Sequence, residues 1–204
     1  MNTLTVAEKK LFKKLSTAIK IQDYLDSIPF NYEKNGETCM SPRQLIKQKK
    51  AHCIEGALFA GAVLWFHNKE PLLINFKVND ARDQDHIITV YSKNGYYGAI
   101  SKTNHNVLRF RDPVYKTIRE LVLSYYHEYF LNKTGKKTLL GYTKPISLKK
   151  FGTSWITSTK DLWEIAEYMY DAPIIHIVPK KNKKFIRKAC DTERKGASIL
   201  EWKK

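Results

Sequence analysis

Apolar residues recur at helical spacing from the start of the chain. Leu11, Leu15, Ile19, Ile21 and Leu25 predict one or two helices over residues 4–27. Pro29 and the polar run NYEKNGETC then predict an irregular segment. Ser41 followed by Pro42 pairs a capping hydroxyl with a proline suited to the first helical position, so a short helix runs from there to about Lys49. The next stretch, Cys53 to Trp65, places Ile54, Leu58, Ala62 and Trp65 on one stripe and the small residues Gly56, Ala57, Ala60 and Gly61 elsewhere. A helix with that many small residues can approach a sheet closely, which predicts a central, buried position.

The period then changes from helical to extended. PLLINFKVN (71–79), HIITVYS (86–92) and YYGAISK (96–102) read as strands, and Asn94-Gly95 is a strong signal for a two-residue type I′ hairpin between the last two. DPVYKTIRELVLSYYHEYF (112–130) predicts an amphipathic helix opened by Asp112-Pro113. TLLGYTKPISLKKF predicts extended chain, STKDLWEIAEYMYD a helix capped near Ser158 or Thr159, and PIIHIVP a last short strand. No internal repeat and no low-complexity linker interrupts the series. The fold class is therefore α+β: one domain over residues 1–178, a buried helix on a small antiparallel sheet, and a basic tail over 179–204 that is free to be loose.

Composition agrees with a packed domain. The 204 residues are 43% hydrophobic with four tryptophans, enough for one core. The most apolar run, residues 53–66, carries Glu55 and ends at His67, so no membrane span is expected. The first twenty residues lack a compact apolar centre and read as an amphipathic helix, not a signal peptide, which makes cytoplasmic the expected location. Cys39, Cys53 and Cys190 are odd in number and show no CxxC spacing, so free thiols are expected and a zinc ribbon or disulfide framework is not. The net charge of +16 is mostly lysine and widely spread; its one dense block is the tail. That pattern predicts a solvated lysine-rich surface, with weak sequence-independent polyanion binding through the tail as the partner it would allow.

Cys53 stands at the mouth of the most apolar helix, directly after KQKKAH. The residue is either a small core hydrophobe or a nucleophile whose thiolate is favoured by helix amides, the helix dipole and a nearby imidazole. His86 supplies a candidate imidazole. With Asn94-Gly95 as the loop, Lys93 pairs with Tyr96, Tyr91 with Gly98, and His86 falls opposite Thr103. Period-two alternation puts His86, Ile88 and Val90 on one face with Tyr97, Ala99, Ser101 and Thr103. A helix packed on that face brings Cys53 against His86, and a third group to orient the ring is expected from residues 101–103.

HCIEGALFAGAVL and DHIITVYSKNGYYGAIS, with the two-strand spacing between their chemical groups, resemble the transglutaminase-like superfamily of papain-type cysteine enzymes. The resemblance covers roughly residues 40–102, and the motif core runs over 40–104. It implies a cysteine opening a buried helix, a histidine opening a strand and an aspartate closing the next strand. Carried onto this chain, Cys53 is the nucleophile and His86 the general base, cleaving or transferring acyl groups at an amide bond of a peptide or peptide-like substrate through a thioester, with no metal or cofactor. At the aspartate position the register places Ser101, which can orient an imidazole but cannot balance imidazolium by charge. Asn104, or Asp83 and Asp85 before His86, are the other candidates for orienting the ring. The Cys53 amide and the Gln48 side chain are the candidate oxyanion donors. Two further readings stay open: a catalytically silent binding module on the same fold, and a basic polyanion-binding protein in which the cysteine plays no part.

The remaining candidates carry less. His52 on a helix points about 100° away from Cys53, which predicts a partly exposed side chain outside the chemistry. Tyr125, Tyr126, His127, Tyr129 and Phe130 predict packing, and His176 between isoleucines predicts a structural histidine. Arg109, Arg111 and Arg119 are expected to be surface arginines, and Cys39 and Cys190 to lie in polar loops without a histidine partner. No GxGxxG, GxxxxGK or HExxH motif occurs.

Overall fold

A computed structural model describes residues 3–203. Two helices open the chain, α1 (Val6–Lys14) and α2 (Ala18–Ser27), each started by a threonine: Thr5 Oγ1 accepts the Glu8 amide and Thr17 Oγ1 the Lys20 amide. After the irregular segment, α3 (Pro42–Gln48) starts on Ser41 as expected and ends where Lys49 turns left-handed, with φ 53°. Next comes α4 (Cys53–Phe66), in which every residue from Ile54 to Leu64 is buried. A helix buried all round must be covered by other elements on every side, and here α2, α3 and the sheet do so.

Strands β1 (Leu72–Val78), β2 (His86–Lys93) and β3 (Tyr96–Ile100) follow. Both turn residues between β2 and β3 have positive φ, 52° at Asn94 and 81° at Gly95, as a type I′ turn requires. The hairpin register is the expected one, Lys93 opposite Tyr96 and Tyr91 opposite Gly98, but regular pairing stops at Thr89 opposite Ile100. Residues 101–104 therefore leave the sheet before they come level with His86. Further along lie β4 (Arg111–Tyr115), α5 (Ile118–Tyr126), β5 (Leu139–Thr143), β6 (Ile146–Ser147), α6 (Trp163–Asp171), β7 (Ile174–His176) and α7 (Asp191–Ala197). The sheet runs β4-β3-β2-β1-β5-β7, with β6 also on β1, and its neighbours are antiparallel.

Three expectations fail for identifiable reasons. Asp112-Pro113 does not open a helix; it lies in β4 at the sheet edge, where a proline without an N–H costs no ladder hydrogen bond. The true helix start is Thr117, which accepts the Glu120 amide. Nor does α6 start at Ser158 or Thr159. Ser158 instead closes a local turn by accepting the Lys160 amide, and the helix begins at Trp163 with no side-chain cap. The tail, finally, is not loose. After α7 it returns along residues 104–109: Asn106 N–H donates to Ile199 O, Glu201 N–H to Asn104 O, and Arg109 pairs with Glu201 at 2.8 Å.

The two faces of the sheet are covered differently. Leu73, Ile87 and Ile100 pack with α4, and Thr89 Oγ1 donates to Ala57 O at 2.7 Å, so α4 covers the face of Ile87 and Thr89. The opposite face, with Ile74, Phe76, Ile88, Val90 and Ala99, packs on Leu121, Val122 and Tyr125 of α5. His86 is the cross-strand partner of Phe76 and so belongs to the α5 side. The cysteine helix thus lies on the opposite face from the one expected. β2 is buried on both faces, so its alternation carries no mark of which helix covers which. Cys53 and His86, each the first residue of its element, meet at the end of the sheet.

Among the described residues, no helix is long and apolar enough to cross a membrane.

Candidate active site

Cys53 is the first residue of α4, where the opening amides have no intrahelical partner and the helix dipole favours negative charge. The residue is partly exposed, unlike the buried residues from Ile54 to Leu64 that follow it. His52 Nδ1 lies 4.0 Å from Sγ, and His86 is close enough to the sulfur to lower the thiol as well. Burial alone pushes the thiol up from its ordinary 9.0. The hydrogen bond with His52, then that with His86, and the positive charge of both rings outweigh it and bring the thiol to about 5.

His86 is held from its far side. Its Nε2 lies 2.8 Å from Ser101 Oγ, and Ser101 Oγ lies 2.6 Å from the carbonyl oxygen of Leu108. A carbonyl only accepts, so the one hydroxyl hydrogen of Ser101 goes to Leu108 and its oxygen must accept from Nε2–H of His86. In the neutral ring that assignment puts the proton on Nε2 and leaves the Nδ1 lone pair available as a base. Ser101 is fixed in turn by Gln22, which accepts the Ser101 amide at 2.9 Å and donates to its carbonyl at 2.8 Å. The Leu108 amide donates to Glu128, which also pairs with Arg111 at 2.6 Å.

The next residue, Lys102, is wholly buried, and its Nζ donates to the carbonyls of Leu25 and Ile28 at 2.7 Å each. These are end-of-helix carbonyls of α2, so a buried ammonium ties the segment carrying Ser101 to that helix. Burial holds the Lys102 amine down to about 8. Gly56 makes the approach possible, because a Cβ there would lie 2.5 Å from Lys102 Cβ.

His52 differs from its expectation. Being the residue that caps α4, it has extended backbone and is not a helical neighbour of Cys53, so the 100° rotation does not apply. Its side chain is mostly buried. Nε2 lies 2.9 Å from Thr38 O, 3.4 Å from the Glu55 carboxylate and 3.5 Å from that of Glu33. Glu55 is completely buried and accepts from the amides of His52 and Met40, from Thr38 Oγ1 and from Asn31 Nδ2. Burial opposes charge on both partners, but the hydrogen bond with His52 holds the Glu55 carboxyl below its usual range, and hydrogen bonding to Cys53 first and to Glu55 next holds the imidazole well above its own.

The other candidates are dispersed. Asn104 does not hold His86: its Nδ2 donates to Tyr32 Oη and Trp202 O, and its Oδ1 accepts the Trp202 amide, so it anchors the chain end. Asp85 accepts the Val78 amide and pairs with Lys77 at 2.8 Å, while Asp83 accepts from Thr138 Oγ1 and the Gln84 amide. Gln48 is exposed on the last turn of α3, and no hydrogen bond joins it to Cys53, His52 or His86. Cys39 is no surface thiol. It is fully buried with Sγ 3.6 Å from Leu162 O, and burial pushes it up to about 12. Cys190 caps α7, and His176 lies exposed on β7.

Sequence reasoning missed His52, Glu55, Gln22 and Lys102. One signal was available: an acidic residue three after a helix-capping position, as in His52-x-x-Glu55, can reach back to accept the capping residue's own amide, as Glu55 does. No pattern pointed to Gln22, whose partner is 79 residues away. The assembled groups can generate a thiolate, present an oriented imidazole and offer a helix-terminal amide beside the sulfur. Among the described residues, no three His, Cys, Asp or Glu side chains gather as a metal site would need. No family model matches the chain, and no curated protein matches it.

Proposed function

We propose that the protein is a cysteine hydrolase or acyltransferase of transglutaminase-like fold, acting on an amide bond of a peptide or peptide-like substrate. The observation that carries the reading is Cys53 at the start of α4, its thiol lowered to about 5 beside His86, whose ring is fixed by Ser101. In this reading the Cys53 sulfur attacks the amide carbon, the Cys53 amide donates to the developing oxyanion, and protonated His86 gives its proton to the leaving amine. Neutral His86 then takes a proton from water, or from an acceptor amine, which attacks the thioester and releases the thiolate. Gln48, exposed on its turn, has no part in this scheme, and Asn104 serves the chain end instead of the imidazole.

A catalytically silent binding module is the second reading, and one observation favours it: a serine, not a carboxylate, orients His86. The pH dependence of iodoacetamide labelling at Cys53, followed by mass spectrometry in wild type and His86→Ala, separates the two. The enzyme reading expects a labelling pKa well below the free-thiol value of about 8.5 that rises in the variant. An ordinary thiol indifferent to His86 overturns it and leaves the binding module.

A further inference from the structure

We propose that His52 is a second catalytic histidine, a fixed imidazolium that holds the Cys53 thiolate so that His86 is left to carry protons to and from the substrate. The inference rests on the nucleophilic reading of Cys53 and assigns a role to a residue which the two-strand motif leaves out.

The geometry separates the two rings by what stands behind each. Behind His86 is a hydroxyl, Ser101 Oγ at 2.8 Å. Behind His52 are two carboxylates, Glu55 at 3.4 Å and Glu33 at 3.5 Å, together with the Thr38 carbonyl at 2.9 Å. A carbonyl cannot donate, so His52 Nε2 carries a hydrogen whatever the state of the ring. Its other nitrogen, Nδ1, faces Sγ at 4.0 Å.

Charge balance supplies the second hydrogen. Glu55 is fully buried, and none of the described lysines or arginines forms an ion pair with it; its cationic partner is His52. A buried carboxylate without a counter-charge is expensive to keep ionised, while four donors from Asn31, Thr38, Met40 and His52 are arranged for the ionised form. A protonated His52 satisfies both requirements. The order along the site is then Glu55 negative, His52 positive, Cys53 negative, His86 able to gain or lose a proton. The charge that Ser101 does not supply behind His86 is supplied behind His52.

Proton accounting follows. His52 keeps both ring hydrogens throughout. In acylation the C–N bond of the amide breaks, a C–S bond forms, and the proton on His86 goes to the leaving nitrogen. In deacylation His86 takes a proton from the attacking water, the C–S bond breaks, and the sulfur leaves as a thiolate against His52. Glu55 touches neither sulfur nor substrate and is a positioning residue.

The test reads the wild-type protein first, by nitrogen-15 NMR of the His52 ring between pH 5 and 9. The proposal expects His52 doubly protonated across that range, and a neutral His52 at pH 7 overturns it. Iodoacetamide labelling of Cys53 against pH in His52→Gln and Glu55→Gln, with folding checked by circular dichroism, supplies the second readout. Two unit charges 4 Å apart in a half-solvated site interact strongly enough to expect a rise in labelling pKa of about two units in His52→Gln. A smaller rise is expected in Glu55→Gln, which keeps an acceptor for the His52 amide. A merely structural His52–Glu55 cap moves stability and leaves the labelling pKa where it was, which overturns the proposal. A low wild-type pKa that depends on His86 but not on His52 removes this proposal and leaves the cysteine enzyme standing. An ordinary wild-type thiol removes both.

Discussion

Ser101→Ala is the most direct probe of how the site is held. The hydroxyl makes two hydrogen bonds, a buried one accepted from His86 Nε2 at 2.8 Å and a partly buried one donated to Leu108 O at 2.6 Å. Its backbone bonds to Gln22 survive the substitution, so the segment stays in place and only the Oγ functions are lost. Each buried group left without a partner costs about 1–3 kcal/mol. Leu108 is only partly buried, so water can replace the lost partner of its carbonyl, and we expect the low end for each group and a total of about 2 kcal/mol. For a chain of this size, that corresponds to a fall in Tm of about 4–8 °C. The more specific consequence is on the ring. With no acceptor opposite Nε2, nothing selects the Nε2–H form, and neutral His86 should divide between its tautomers. Calorimetry reads the first effect, and nitrogen-15 NMR of the His86 ring reads the second. An unchanged tautomer with a loss below about 0.5 kcal/mol refutes the assignment of Ser101 as the group that orients His86. Ser101→Asp is not a rescue, because one carboxylate oxygen would face the Leu108 carbonyl, acceptor against acceptor.

Two further predictions concern how Lys102 and α4 fit together. Gly56→Ala places a Cβ 2.5 Å from Lys102 Cβ, an atom fixed by its own backbone and unable to swing aside; the helix or the 101–104 segment must move, and a loss of about 3 kcal/mol in urea unfolding is expected, a neutral substitution being the refuting result. Lys102 is held down to about 8, against 10.5 when unfolded, so between those values the unfolded chain binds the proton that the folded chain releases. Stability from this group therefore rises with pH through that window, and below pH 8 the folded state bears the full cost of a buried ammonium. The 2.5-unit difference amounts to an upper bound of about 3 kcal/mol. Lys102→Met should remove that slope, seen as a difference in unfolding free energy between wild type and variant that changes from pH 8 to 10.5. Parallel pH curves refute it.

The hairpin and the cysteine helix were legible because their signals are local. Asn94-Gly95 sets the register of two strands by itself, and the small residues of α4 mark a helix that must be covered on all sides. From those two elements alone, Cys53, His86 and a third group within residues 101–103 come out as residues to compare; the family resemblance narrows the third to Ser101. The same alternation could not say which face α4 occupies, because Ile87, Ile88, Thr89 and Val90 are all buried and parity carries no information in a strand covered on both sides. Asp112-Pro113 misled for a related reason: the pair fits a helix start as well as an edge strand, and only the position of β4 in the finished sheet decides. His52 was set aside by a rule for residues inside a helix, whereas it is the residue before the helix, and one position reverses where the ring points. Gln22, Lys102 and the chain end at Trp202 were out of reach altogether, since each acts on residues 101–104 across 74 or more positions of sequence. Residues 101–104 are where these distant contacts converge: Gln22 grips Ser101, α2 receives Lys102, and the tail binds Asn104. A segment anchored at three of four positions from different parts of the chain keeps its geometry after leaving the sheet, and that rigidity lets a hydroxyl hold the His86 ring where a strand end would otherwise fray.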